Sequence, residues 1–104
     1  MKITLACAAG MSTTLLCKKI QQAAEEKGYK NVTCDAFSAS NLKGNAEGSA
    51  IILVGPQISY EKDRLTKEWA PIPVMVINMQ DYGMINGKNV FEAAEKIMKE
   101  KKIV

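Results

Sequence analysis

The run Ala50-Ile51-Ile52-Leu53-Val54, closed at once by Gly55-Pro56, constrains this chain more than any other segment. It has no polar position with which to alternate between a wet and a dry face, so it fits a strand covered on both sides, the condition of a central strand in a parallel sheet. Parallel neighbours need long crossovers, usually helical. The rest of the chain supplies both. Ile3 to Ala6 reads as a second buried strand. From about Thr13 to Lys27, Leu16, Ile20, Ala23 and Ala24 fall at helical spacing, and Gly28 is a stop signal. Val32, Cys34 and Ala36 alternate with Thr33 and Asp35, as in a partly exposed strand near a sheet edge. The polar stretch Ser38 to Ser49 has room for one helical turn between loops. A second helix is expected over Gln57 to Trp69, with Ile58, Leu65 and Trp69 on one face and Pro71 and Pro73 as stops. Pro73 to Ile77 makes a fourth strand, Asn78 to Asn86 a loop, and Val90, Phe91, Ala94, Ile97 and Met98 define a closing helix.

Four alternations of strand and helix imply an α/β fold: one domain over residues 1–104, a four-stranded parallel sheet, right-handed crossovers and helices on both faces. A chain of 104 residues can enclose such a core without disulfides or structural metal. In sheets of this kind the ligand sits outside the carboxyl ends of the strands. Three loops should meet there: Cys7 to Ser12, Gly55 to Tyr60 and Asn78 to Asn86.

Composition narrows the chemistry. The absence of histidine excludes a Ser-His-Asp triad, a Cys-His pair and a phosphohistidine carrier within this chain. The three cysteines, at Cys7, Cys17 and Cys34, fit neither a disulfide framework nor a C-x-x-C motif. Cys17 and Cys34 fall on apolar positions and read as core. The net charge of +3 is carried by Lys96, Lys99, Lys101 and Lys102 against Glu100, with the two signs balanced elsewhere; that is a lysine-rich helix end, not a nucleic-acid surface. The opening apolar run is too brief for a signal peptide, and no run approaches the ~18 apolar residues of a membrane span. A cytoplasmic chain without membrane insertion is expected.

The loop Cys7-Ala8-Ala9-Gly10-Met11-Ser12-Thr13 carries the chemistry. It follows the first strand, opens the first helix, and is small or flexible everywhere except Met11. Consecutive N–H groups can turn inward as a nest for a dianion, with Ser12 or Thr13 as cap and hydroxyl donor. A thiol at its first position shares the positive field of the helix terminus, which favours thiolate. Cys7 also has a plain reading, as a small apolar residue ending a buried strand. The glycine and the hydroxyl pair at the helix start argue for function.

Cys7-x-x-Gly10-Met11-Ser12-Thr13, then Gly55-Pro56-Gln57-Ile58-x-Tyr60 after the third strand, then Asp81-Tyr82-Gly83 before the last helix, together resemble the lactose/cellobiose-type IIB component of the bacterial sugar phosphotransferase system. The likeness spans essentially the whole chain. It implies a phosphate loop like that of low-molecular-weight phosphatases, with Cys7 as phosphocysteine and Ala8, Ala9, Gly10, Met11, Ser12 and Thr13 around the phosphate. It also implies two partners. A IIA component donates from a phosphohistidine, and a membrane IIC component holds the acceptor sugar, a β-linked disaccharide such as cellobiose, chitobiose or lactose. The chain would be monomeric when isolated, cytoplasmic, and transiently associated with the transporter. No metal or cofactor is implied. IIA and IIC must reach the same exposed cysteine, so overlapping surfaces are expected, with Met11, Ile58, Tyr60 and Met84 as an apolar rim suited to more than one partner. Gln57 is open to a phosphoryl or partner contact, or to a strand-ending turn; Asp81, Tyr82 and Gly83 to a partner contact or a simple turn.

Two other functions use the same features. A low-molecular-weight cysteine phosphatase or arsenate reductase resembles C-x5-R, but here the sixth position after Cys7 is Thr13, so the bidentate cation is missing. Asp81 is the candidate leaving-group acid for that reading. A regulatory module that senses phosphorylation of Cys7 is the other. The dinucleotide and Walker-type glycine patterns are absent.

Overall fold

The computed structural model describes residues 1–8 and 12–104, with Ser12 described by its backbone alone. Strand β1 (Lys2–Cys7) leads to helix α1 (Ser12–Glu26), and the chain continues through β2 (Thr33–Ser38) and β3 (Ile51–Val54). Helix α2 (Lys62–Glu68), strand β4 (Val74–Val76) and helices α3 (Met79–Gly83) and α4 (Gly87–Glu100) follow. The strands form one sheet in the order β2-β1-β3-β4, and every pairing is parallel. The apolar run that fixed the sequence reading is therefore interior, and all four residues of β3 are buried.

Strand alternation assigns each side chain to a layer. Ile3, Leu5, Ile51, Leu53 and Met75 join Leu16 and Ile20 of α1 and Val90, Phe91, Ala94 and Met98 of α4 in one core. On the opposite face Ala6, Ile52, Val54 and Val74 pack with Leu42, Ala46, Ile58 and Leu65. That second layer is thinner, because α2 contributes a single buried residue, Leu65, and irregular segments supply the rest. The first layer needs a close approach of its two helices. A Cβ on Gly87 would stand 2.4 Å from the Lys19 carbonyl carbon and 2.6 Å from the Ile20 nitrogen.

The polar stretch after β2 is anchored from within. It makes one 3-10 turn, Ala39–Asn41, and then buries Leu42 and Ala46. Thr4, a polar residue inside buried β1, faces this segment: its hydroxyl is 2.6 Å from Ser49 Oγ, which donates to the Ala46 carbonyl at 2.6 Å. Both hydroxyls are buried with partners, as the cost of desolvating them requires.

Two elements differ from the sequence reading. The helix expected over Gln57 to Trp69 is split into a 3-10 turn, Pro56–Glu61, and α2, with Ile58 at φ −122°, ψ 33° between helical neighbours. A tight turn, Ile58 N donating to the Gly55 carbonyl at 3.0 Å, lets Ile58 enter the core while Tyr60 stays exposed. The loop expected over Asn78 to Asn86 contains α3. Asn78 Oδ1 accepts from the backbone N–H of Gln80 at 2.8 Å and of Asp81 at 3.2 Å, a side-chain cap that supplies partners for the first turn.

Candidate functional site

The strand order reverses between β1 and β3, since β2 lies on the far side of one and β4 on the far side of the other. Connections leaving the two central strands therefore diverge, and a crevice opens at their carboxyl ends. Cys7 ends β1 at this point, in register with Ser38 of β2. Gly55 follows β3 there, and its N–H donates to the Ala6 carbonyl at 2.9 Å, carrying the β1–β3 contact one residue beyond the strand.

Cys7 shares its sheet face with Ile3 and Leu5, so its thiol points toward α1. Sγ lies 3.5 Å from the Phe37 carbonyl oxygen and 3.7 Å from Thr13 Oγ1. A thiol has one proton and can donate to one of these at a time. Loss of that proton changes the balance, because a carbonyl has nothing to donate to a thiolate, whereas the Thr13 hydroxyl can turn and donate. Thr13 sits in the first turn of α1, where the helix field also favours negative charge. The cysteine is more enclosed than the sequence reading expects. It is 5% exposed rather than open to partners, because the β1 register turns it inward between α1 and β2. The Phe37 carbonyl left no trace in the sequence, since a backbone contact carries no residue signature.

Ala8 is exposed directly after β1, whereas Ala9, Gly10 and Met11 lie outside the described residues, as does the Ser12 side chain. The expected phosphate loop is thus described at its two ends. Across the crevice, a Cβ on Gly55 would stand 3.4 Å from Gln57 Oε1 and 3.8 Å from Tyr82 Cε1, so two rim candidates from different segments gather beside the end of β1. Tyr60 and Met84 are 78% and 70% exposed. Met79, not singled out in the sequence, is equally open at 73%. Ile58 does not belong with them: it is buried against Ile52, Val54 and Leu65, which removes it from any exposed rim. Asp81 is half-buried and ties α3 to the start of α4, with its Oδ1 accepting from Asn89 Nδ2 at 3.2 Å and its carbonyl from Asn86 N–H at 2.8 Å. Gly83 closes α3 in open space.

A second polar cluster is structural. Glu95 of α4 accepts from Lys27 Nζ at 2.8 Å and from Tyr29 Oη at 2.7 Å. The Lys27 bond, then the Tyr29 bond, holds its carboxyl below the usual range. The same contacts raise the Lys27 ammonium and the Tyr29 phenol. Among the described residues, no helix is long and apolar enough to cross a membrane.

With this geometry in place, comparison with known proteins is decisive. The sequence model of the family described as PTS system, Lactose/Cellobiose specific IIB subunit, matches residues 2–93. The chain belongs to that family. It is accordingly a phosphotransferase of the sugar phosphotransferase system. It is 44% identical to the galactose-specific EIIB component of Lactococcus lactis subsp. cremoris, over 92% of this chain and 94% of the relative. Identity to the cellobiose-specific EIIB component of L. lactis subsp. lactis is 43%, with the same coverage. The oligo-beta-mannoside-specific EIIB component of Bacillus subtilis is 38% identical, over 93% of this chain and 95% of its own length. Among solved structures, the cellobiose-specific IIB component of Borrelia burgdorferi superposes with a TM-score of 0.74 at 35% identity, covering 97% of this chain and 94% of that one. The lactose-specific IIB domain of Streptococcus pneumoniae gives 0.78 at 13% identity, over 92% and 95%, and so supports the fold alone. Both share the architecture of this IIB chain.

Proposed function

We propose that Cys7 of this IIB chain carries the phosphoryl group, accepting it from a phosphohistidine on IIA and passing it to a sugar held by IIC. The observation that carries the reading is the position of Cys7 at the carboxyl end of β1, at the point where strand order reverses, with the Thr13 hydroxyl 3.7 Å from Sγ. In the first step the thiolate attacks phosphorus in line, forming S–P as the P–N bond to imidazole breaks. In the second a sugar hydroxyl forms O–P as S–P breaks. Neither step requires histidine here, because the imidazole is the donor's leaving group. The chain has to position the phosphoryl oxygens and neutralise their charge, the role we give to Ala8, Ala9, Gly10, Met11, Ser12 and Thr13.

Gln57, Tyr60, Tyr82, Gly83 and Met84, with the half-buried Asp81, form the surface we assign to IIA and IIC. Both partners must reach one sulfur, so their surfaces overlap and they bind in turn. The relative named for cellobiose supports a β-linked disaccharide as the sugar, and the relatives named for galactose and oligo-beta-mannoside make a monosaccharide and a longer β-linked chain the alternatives to test. The same reading makes residues 1–104 one IIB domain, cytoplasmic and transiently docked at the transporter. The phosphatase alternative would use Asp81 as leaving-group acid, and that carboxylate is held in the α3–α4 junction by Asn89. The test is incubation with phosphorylated IIA followed by intact mass measurement. One phosphoryl group should appear on the wild type and none on Cys7→Ser. Phosphorylation of the variant would overturn the reading.

A further inference from the structure

Cys17 and Cys34 are seventeen positions apart in the chain and unrelated by any motif, yet the fold brings them together. Cys17 lies on the buried face of α1 and Cys34 on the inward face of β2, 3% and 7% exposed. They share one core and both line a cavity of ≈ 360 Å³. Lys18, Asp35 and Phe37 also line it, so the thiols meet a polar opening as well as the apolar interior. The neighbouring Cys34 lowers the Cys17 thiol, and the same pairing together with burial raises that of Cys34. Both cysteines are reduced in this structure.

We propose that Cys17 and Cys34 are a dithiol modification site, oxidised by a small hydroperoxide entering this cavity to a disulfide that links α1 to β2. The Cys17 thiolate attacks the terminal peroxide oxygen, forming a sulfenic acid and releasing the alcohol, or water where the oxidant is hydrogen peroxide. The Cys34 sulfur then attacks the sulfenic sulfur, the S–O bond breaks and water leaves. Two thiols and one hydroperoxide thus give a disulfide, an alcohol and water; the two electrons lost by sulfur reduce the peroxide O–O bond. A cellular dithiol reverses the reaction by exchange. The link joins the two elements that hold the partners of Cys7, since Thr13 belongs to α1 and Phe37 to β2. Phe37 also lines the cavity itself.

The site needs neither Cys7 nor phosphoryl transfer, and its test is independent of both. The Cys7→Ser chain is treated with hydrogen peroxide, quenched by alkylation, and measured as intact mass and after proteolysis. Loss of two hydrogens, with the peptide of Cys17 joined to that of Cys34 and released by dithiothreitol, is the expected result. In Cys34→Ala the cross-link disappears, and Cys17 is trapped as a sulfenic acid by a dimedone-type probe. Oxygen added to the two sulfurs separately, or cross-links between chains in place of the internal one, would overturn the proposal. Wild-type protein gives the same reading without any substitution in the core.

Discussion

Gly87 is the sharpest test of how α1 and α4 are held together. An alanine Cβ there would meet the Lys19 carbonyl carbon at 2.4 Å, Lys19 Cβ at 2.5 Å and the Ile20 nitrogen at 2.6 Å. Favourable carbon contacts lie near 3.5–4.0 Å, so the helices must separate by about 1 Å or more. No rotamer change relieves this, because the atoms met belong to the backbone and first carbon of α1. Separation would also loosen Leu16 and Ile20 from Val90 and Phe91, all in the same core. Overpacking typically costs about 1–3 kcal/mol, and a clash without a flexible partner belongs at the upper end. The gain in helix propensity, about 1 kcal/mol at most, offsets part of it. The net loss is about 2 kcal/mol, a substantial share of the roughly 5–15 kcal/mol that stabilises a domain.

Gly83→Ala is the matching control. This glycine ends α3 with nothing within 4 Å of an added Cβ, so the same substitution should be neutral or stabilise by a few tenths of a kcal/mol. Thermal unfolding followed by circular dichroism should place Gly87→Ala roughly 8–16 °C below wild type. Gly83→Ala should sit at or slightly above it. If both variants melt together with wild type, the close helix approach does not have the energetic meaning given to it here.

Three further outcomes follow from the polar contacts. Because the Glu95 carboxyl is depressed in the folded chain, its stabilising contribution is present above the unfolded carboxyl value and is lost as pH falls through the folded one; Glu95→Gln should therefore weaken the fold at pH 7 and flatten the acid limb of a stability–pH curve, and an unchanged limb would refute this. Ser49→Ala strands the buried Thr4 hydroxyl, while the Ala46 carbonyl keeps the backbone N–H of residue 49 at 3.2 Å, and it should cost about 1–3 kcal/mol in urea unfolding, whereas Thr4→Val leaves the Ser49 donor satisfied and should cost less; the reverse order would be wrong for this geometry. Thr13→Val keeps the shape of a side chain that is 2% exposed but removes its hydroxyl, and should slow phosphoryl acceptance about 10- to 100-fold, with Thr13→Ser restoring most of the rate. Equal rates in all three would remove Thr13 from the site.

The sheet was legible because its strongest signal is compositional. A run such as Ile51 to Val54 has no alternative but burial on both faces, and Gly55-Pro56 marks its end. The position of Cys7 between strand and helix was legible for a related reason: a short apolar run followed by small residues and hydroxyls is a local pattern for a strand end and a helix start. What escaped was non-local or set by backbone. The period of Ile58, Leu65 and Trp69 fits one continuous helix, but the turn at Gly55 interrupts it and turns Ile58 from rim into core. Asn78 was present as a cap signal, yet five residues are too few for periodicity to reveal α3. The enclosure of Cys7 by Phe37, and the meeting of Cys17 with Cys34, depend on β2 lying beside β1, which no short window of sequence contains.

That enclosure bears on how one sulfur could serve two partners. In the thiol form the proton of Cys7 can reach the Phe37 carbonyl, 3.5 Å away, or the Thr13 oxygen. A phosphoryl group on sulfur removes that proton and adds oxygens that only accept hydrogen bonds. The Phe37 carbonyl then loses the thiol as a donor, while the Thr13 hydroxyl can reverse its role and donate. On the proposed function, the loaded and empty carriers therefore make different contacts with β2 and keep a common contact with α1. Discrimination between the two states needs no large rearrangement on that account. A partner has only to sense the charge and the shift beside the end of β2, close to the Gln57 and Tyr82 side chains that gather at Gly55.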